Sequence, residues 1–231
     1  MNELSQIYDD MKAGYRAIFT KSVDAIKERV EELRPLNFEG DIFDKFEINS
    51  VGAQWQNAVI EMFEKDICRE IYEKWQEILA FRNNFECKGC AVCCQLACCE
   101  YSPEELQKRA QSGDDFAKQF TGIFVPYQNR EEAEKVYPEY LQLLSENIDD
   151  DVYFYHCPKL DCNRCSDYEN RPAICRQFPD NPLDILPESC GFYQWRKEVE
   201  PIAMTLHAMM EIIDYYKTKI NILPLREDRN L

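Results

Sequence analysis

A chain of 231 residues, 45% hydrophobic and 30% charged, has apolar material for one ordinary core with an extension, which excludes a wholly disordered chain and a large multidomain enzyme. Its 27 basic against 43 acidic side chains leave a net charge of −16, which opposes general nucleic-acid binding and attraction to an anionic membrane. No apolar run reaches the roughly 18 residues of a membrane helix. Glu3, Asp9 and Asp10 stand where a secretory signal would be basic and then apolar, so a cytoplasmic protein is expected.

From Tyr8 to Leu33 apolar side chains recur every three to five residues, the stripe of a helix with one buried face. Pro35 and Gly40 break it, and Leu36 to Ile48 reads as an irregular acidic connection. A second stripe from Trp55 to Leu79 predicts another long helix to pair with the first, with Cys68 inside it as a buried thiol. Ser102, Pro103 and Glu105 read as a helix start with a capping box, in a short helix that ends by Gly113. A further short helix is predicted around Val136 to Leu144, then a solvated acidic loop from Glu146 to Asp151. The consecutive Asp149, Asp150 and Asp151 lack a calcium-loop pattern. Val152 to Tyr155 reads as a strand leading to Cys157. Trp195 to Ile213 forms a last helical stripe, with Pro201 as its kink or its start and His207 as a surface or packing residue. The fold class is therefore mainly α, a helix-rich chain around an irregular cysteine-rich core that binds a metal or cluster. Its expected parts are a helical extension over 1–84, a cysteine domain over 85–192, and a C-terminal helix and tail over 193–231.

Eleven of the twelve cysteines fall between Phe85 and Gly191. A reducing compartment does not favour structural disulfides, so metal or cluster ligation is the leading explanation. The strongest signal is Cys87-x2-Cys90-x2-Cys93-Cys94. Two intervening residues let a turning backbone aim successive thiolates at one centre, and Gly89 accepts the conformations such a loop demands. Further ligands are available at Cys157-Pro158, Cys162, Cys165, Cys175 and Cys190. A C-x2-C-x2-C run with a remote Cys-Pro suits an iron–sulfur cluster, as in bacterial ferredoxins, although Cys157 lies 64 residues beyond Cys93. Four thiolates around zinc are an equal alternative on spacing alone.

The segment Phe85-Glu86-Cys87-Lys88-Gly89-Cys90-Ala91-Val92-Cys93-Cys94 resembles the opening of the CxxCxxCC zinc- or iron-chelating family of cysteine-cluster proteins. So do Cys157-Pro158-Lys159-Leu160, Cys165 to Pro172, Cys175-Arg176-Gln177-Phe178-Pro179 and the distal Cys190, in that order. The resemblance spans Phe85 to Phe192. It implies a metal-chelating module at Cys87, Cys90, Cys93, Cys94, Cys157, Cys165, Cys175 and Cys190, with an iron–sulfur cluster of the [4Fe–4S] type or zinc as the bound group. A related module occurs in flagellin lysine methylases, but this chain carries neither a C-x3-C-x2-C radical signature nor a glycine-rich nucleotide loop. Cys98, Cys99 and Cys162 depart from the family pattern.

Eight thiolates can form two four-ligand sites, or one cluster with structural cysteines. Arg171 and Arg176 read as orienting the loop, Tyr168 as covering the centre, and His156 as structural beside Cys157. Two functions follow: a redox or accessory iron–sulfur protein with a redox or basic protein partner, or a zinc-stabilised interaction module. No general base or nucleophilic triad identifies an enzyme.

Overall fold

The computed structural model describes residues 3–147 and 152–221. The run Asp149 to Asp151 and the tail from 222 lie outside the described residues. In chain order the elements are helices α1 (Glu3–Glu32) and α2 (Val51–Met62), a π-helical turn (Phe63–Ile67), α3 (Cys68–Arg82) and α4 (Val92–Gln95). Then come strand β1 (Ala97–Cys99), α5 (Pro103–Gln111), α6 (Asp115–Thr121), β2 (Val125–Pro126), α7 (Arg130–Val136), α8 (Pro138–Asn147) and β3 (Tyr153–His156). Strands β4 (Leu160–Asp161) and β5 (Arg164–Cys165) precede α9 (Ala173–Gln177) and α10 (Tyr193–Asn221). The fold is mainly α. It divides into two compact units: 84–196 with the first turns of α1 through Asp9, and 10–83 with 197–221.

The helical unit forms because its stripes close on one another. Ile26, Val30, Trp55, Val59, Phe63, Ile67, Ile71, Ala203, Met204 and Ile212 are all buried. Trp55 donates its Nε1–H to the Val30 carbonyl at 3.1 Å, so the largest core side chain also satisfies its polar atom. The irregular connection is anchored from beneath. Buried Gln56 donates to the carbonyls of Ile42 (2.8 Å) and Asp44 (3.0 Å).

Trp55, Val59, Phe63, Ile67 and Ile71 recur every four residues, a spacing that drifts about 40° per step around a regular α-helix. The π turn, in which the Cys68 amide reaches the Phe63 carbonyl, takes up that drift and keeps Ile71 on the buried face. Cys68 follows Ile67 onto the other side and is exposed, not buried as its place in the stripe suggests. Pro201 lies inside the continuous α10, not at its start.

In the cysteine unit β1, β3 and β2 form an antiparallel sheet in the order β1-β3-β2. The alternation of side chains across it makes two cores. Leu96, Cys98 and Phe154 meet Ala133 and Leu141 from α7 and α8 on one face. On the other, Ala97, Cys99 and Tyr155 meet Leu106, Ala117 and Phe120 from α5 and α6. The capping box at Ser102 and Glu105 is present with Pro103 at the first helical position. The helix expected around Val136 to Leu144 is α8, which begins at Pro138, and a further helix, α7, precedes it from Arg130 to Val136.

One half-buried acid strains this unit. Burial, together with the neighbouring Asp180, pushes the Asp184 carboxyl up to about 7 from the ordinary 3.8, against the pull of Arg196. A carboxyl raised on folding gives its full stability below its unfolded value and loses it as pH rises toward its folded one. Stability should therefore fall between about pH 4 and pH 7 by at most ~1.4 kcal/mol per unit from this group. Asp184→Asn is expected to match the wild type in urea midpoint near pH 4 and exceed it at pH 8. Equal midpoints at pH 8 would refute the assignment.

Candidate metal centre

The Cys87–Cys94 loop turns tightly because two of its residues take the left-handed conformation, Gly89 at φ +71° and Ala91 at φ +65°. That path aims backbone amides back at the sulfurs. Gly89 N–H donates to Cys87 Sγ at 3.4 Å, and Val92 N–H donates to the Cys90 sulfur. The same donation from two residues downstream recurs at Cys157, from Lys159, at Cys190, from Phe192, and at the core residue Cys99, from Tyr101. An amide aimed at a sulfur favours its charged form.

The sheet brings the second half of the motif to the first. Cys94 precedes β1, Cys157 follows β3, and the antiparallel register pairs Ala97 with Tyr155, so both cysteines emerge at one end of the sheet. The Cys157 amide donates to the Cys94 carbonyl at 2.7 Å. From there β4 and β5 fold back as a hairpin. Its two-residue turn is Cys162 and Asn163, both with positive φ (44° and 60°), which places Leu160 opposite Cys165. Tyr168 then donates its hydroxyl to the Cys87 carbonyl at 3.3 Å. Arg171 stacks on the Tyr168 ring at 3.8 Å and donates Nε–H to the Tyr168 carbonyl at 3.1 Å. Pro172 leads into α9, which carries Cys175.

Cys190 arrives by a contact that the sequence motif does not reveal. A Cβ on Gly191 would lie 1.9 Å from the Glu86 carbonyl oxygen and 3.0 Å from the Lys88 nitrogen. Only a residue without a side chain lets this strand of backbone lie against the Cys87 loop. The sole sequence signal is that a glycine follows the last cysteine of the pattern.

Two thiol pairs result. Cys190 hydrogen-bonds to Cys90, drawing Cys90 down to about 6 and itself upward. Cys93 hydrogen-bonds to Cys94, drawing Cys94 down to about 7 and itself upward, with burial adding to the rise. Around these pairs Cys87 acts electrostatically on Cys93 and Cys190. Cys157, Cys165 and Cys94 act on Cys175, and Cys94 and Cys165 act on Cys157. Arg171 lies near Cys94 and Cys175, and Lys159, paired with Asp167, lies near Cys157 and Cys165.

Among the described residues no group of three or more His, Cys, Asp or Glu side chains is placed so that it could hold a metal ion. The sulfurs meet as pairs, with the others as neighbours. The donor type fits a thiophilic metal, and the amide donors around the sulfurs suit thiolates. The remaining cysteines have other settings. Cys98 lies in one sheet core, accepts a hydrogen bond from Tyr140 and is pushed up to about 12 chiefly by burial, while Cys99 lies in the other core. Cys162 is an exposed turn residue, and His156 packs its ring on Tyr127 at 4.9 Å.

Gly191→Ala is expected to force the Cys190 segment off the Cys87 loop, measurable as a large rise in alkylation rate at Cys190 with helical content retained. An unchanged rate would refute the close approach. The chain matches no known family model, no curated protein and no solved structure.

Proposed function

We propose that this chain is a cysteine-ligated metal protein, with an iron–sulfur cluster as the leading bound group and a redox or accessory role. The observation that carries the reading is the meeting of cysteines from distant segments, the Cys190 thiol on Cys90 and the Cys157 amide on the Cys94 carbonyl at 2.7 Å, beside an amide donated to the Cys87 sulfur at 3.4 Å. Without a cation the paired thiols hold a shared proton, which a thiophilic metal would displace. The resemblance of Phe85 to Phe192 to the CxxCxxCC family supports the same reading. The ligands would be drawn from Cys87, Cys90, Cys93, Cys94, Cys157, Cys165, Cys175 and Cys190. A bound cluster would supply one-electron transfer, its potential set by burial and by hydrogen bonds to the sulfurs.

This chain's own residues would then orient and tune the thiolates. Tyr168 and Arg171 hold the loop over Cys87, and Arg171 and Lys159 bring positive charge to thiols of the second half. The net charge of −16 suits a basic protein partner. A second reading, structural zinc, is favoured by the left-handed backbone at Gly89 and Ala91, since tight CxxC turns of this kind also close around a single tetrahedral ion.

The test is elemental analysis of chain purified without oxygen. Iron with an equal amount of acid-labile sulfide is expected. Stoichiometric zinc without sulfide would replace the cluster by the structural ion, and absence of both metals would overturn the reading.

A further inference from the structure

We propose that the groove between α1 and α10 binds a small, elongated apolar molecule that carries one carboxylate, as a medium-chain fatty acid does. The site lies wholly within the helical unit, so nothing in it depends on the cysteine unit or on a metal.

The groove exists because short residues stand in a helical stripe. Ile18, Lys21, Ser22, Ala25, Ile26 and Arg29 recur at the spacing that places them on one face of α1, and Thr205 and Met209 of α10 form the opposite wall. Ser22 and Ala25 are too short to fill the space between the two helices. A cavity of about 320 Å³ remains, the size of a small-molecule site. The stripe from Ile18 to Arg29 runs about 16 Å along the helix axis, which suits an extended chain better than a compact ring.

One polar group within the groove lacks a partner. Ser22 is only 5% exposed, yet its hydroxyl makes no hydrogen bond among the described residues. It is not sealed into the core, so the surface it keeps faces the cavity. Its neighbours behave differently. Thr205 donates its hydroxyl to the Pro201 carbonyl at 2.8 Å, and Thr20 donates to the Arg16 carbonyl at 3.1 Å. The Ser22 hydroxyl leaves that local bond unmade and is free to donate to a ligand, which would offset the cost of its burial.

Charge selects the head of that ligand. In a chain of net charge −16, both charged residues lining the groove are cations, Lys21 and Arg29. Arg29 is already committed, its guanidinium bound to the two oxygens of Glu70 at 2.9 and 3.0 Å. Lys21 is exposed and makes no ion pair among the described residues. One free ammonium beside one free hydroxyl matches a single negative charge. A carboxylate there accepts from Lys21 Nζ and Ser22 Oγ, while its hydrocarbon lies on Ile18, Ile26 and Met209.

The test is calorimetric titration of the full-length chain with sodium decanoate, below its micellar concentration, and with decanol. Decanoate is expected to bind at a single site, about fivefold more tightly than the alcohol. Lys21→Gln is expected to remove that preference and leave decanol binding unchanged. Ala25→Trp, at an exposed position, is expected to fill the groove and abolish binding of both. Absence of saturable decanoate binding, equal affinity for acid and alcohol, or decanoate binding that survives Ala25→Trp would overturn the proposal. A readout on the wild type needs no variant to fold. With the methionine methyl groups labelled for nuclear magnetic resonance, the Met209 signal is expected to shift as decanoate saturates, and an unmoved Met209 signal would place the acid elsewhere and overturn the proposal. Refusal of decanoate by a chain that instead self-associates in sedimentation, and loses that association in Ala25→Trp, would assign the groove to a second copy and overturn it too.

Discussion

Two thiols in contact can share one proton but cannot readily give up both, and that constraint governs the paired cysteines. Each pair shares one proton through its hydrogen bond, so Cys93 and Cys190 are driven up, with burial and the neighbouring sulfurs adding to the rise, while their partners Cys94 and Cys90 are driven down. Without a cation, each pair settles by sharing a proton. With a thiophilic cation that proton is displaced, and metal affinity becomes coupled to pH and to folding of the segments that supply the thiols.

The remainder of the unit holds those segments in place. The short sheet divides two apolar cores, and its antiparallel register brings the end of the CxxCxxCC run and the start of the Cys157 segment to one end. The cysteines flanking the sheet, Cys94 and Cys157, are therefore positioned by ordinary hydrophobic packing. Cys98 and Cys99, within the strand itself, are taken up by the two cores. Gly191 performs the equivalent task for Cys190, by close backbone approach instead of a sheet.

The helical part was readable from the sequence where a periodic stripe ran long enough to declare itself. The stripes of α1 and of α2 with α3, and the capping box at Ser102, follow from spacing and cap chemistry. Two- and three-residue strands such as β2 and β1 have no period to read. The exposure of Cys68 depends on a π turn that the stripe itself conceals, and Pro201 is tolerated within α10. In the candidate centre the cysteine positions were legible from motif spacing. Their neighbours were not, because the meeting of Cys90 with Cys190 depends on chain reversals between them and on a glycine that carries no motif of its own. The raised Asp184 was likewise invisible, since burial is a property of the fold.

In the proposed reading, sulfur from this chain binds a metal. X-ray absorption at the iron and zinc edges of protein purified without oxygen reads the ligand atoms directly. Nearest neighbours of sulfur, at about 2.3 Å from each metal atom, are expected. A shell of nitrogen and oxygen at about 2.0–2.2 Å would contradict it.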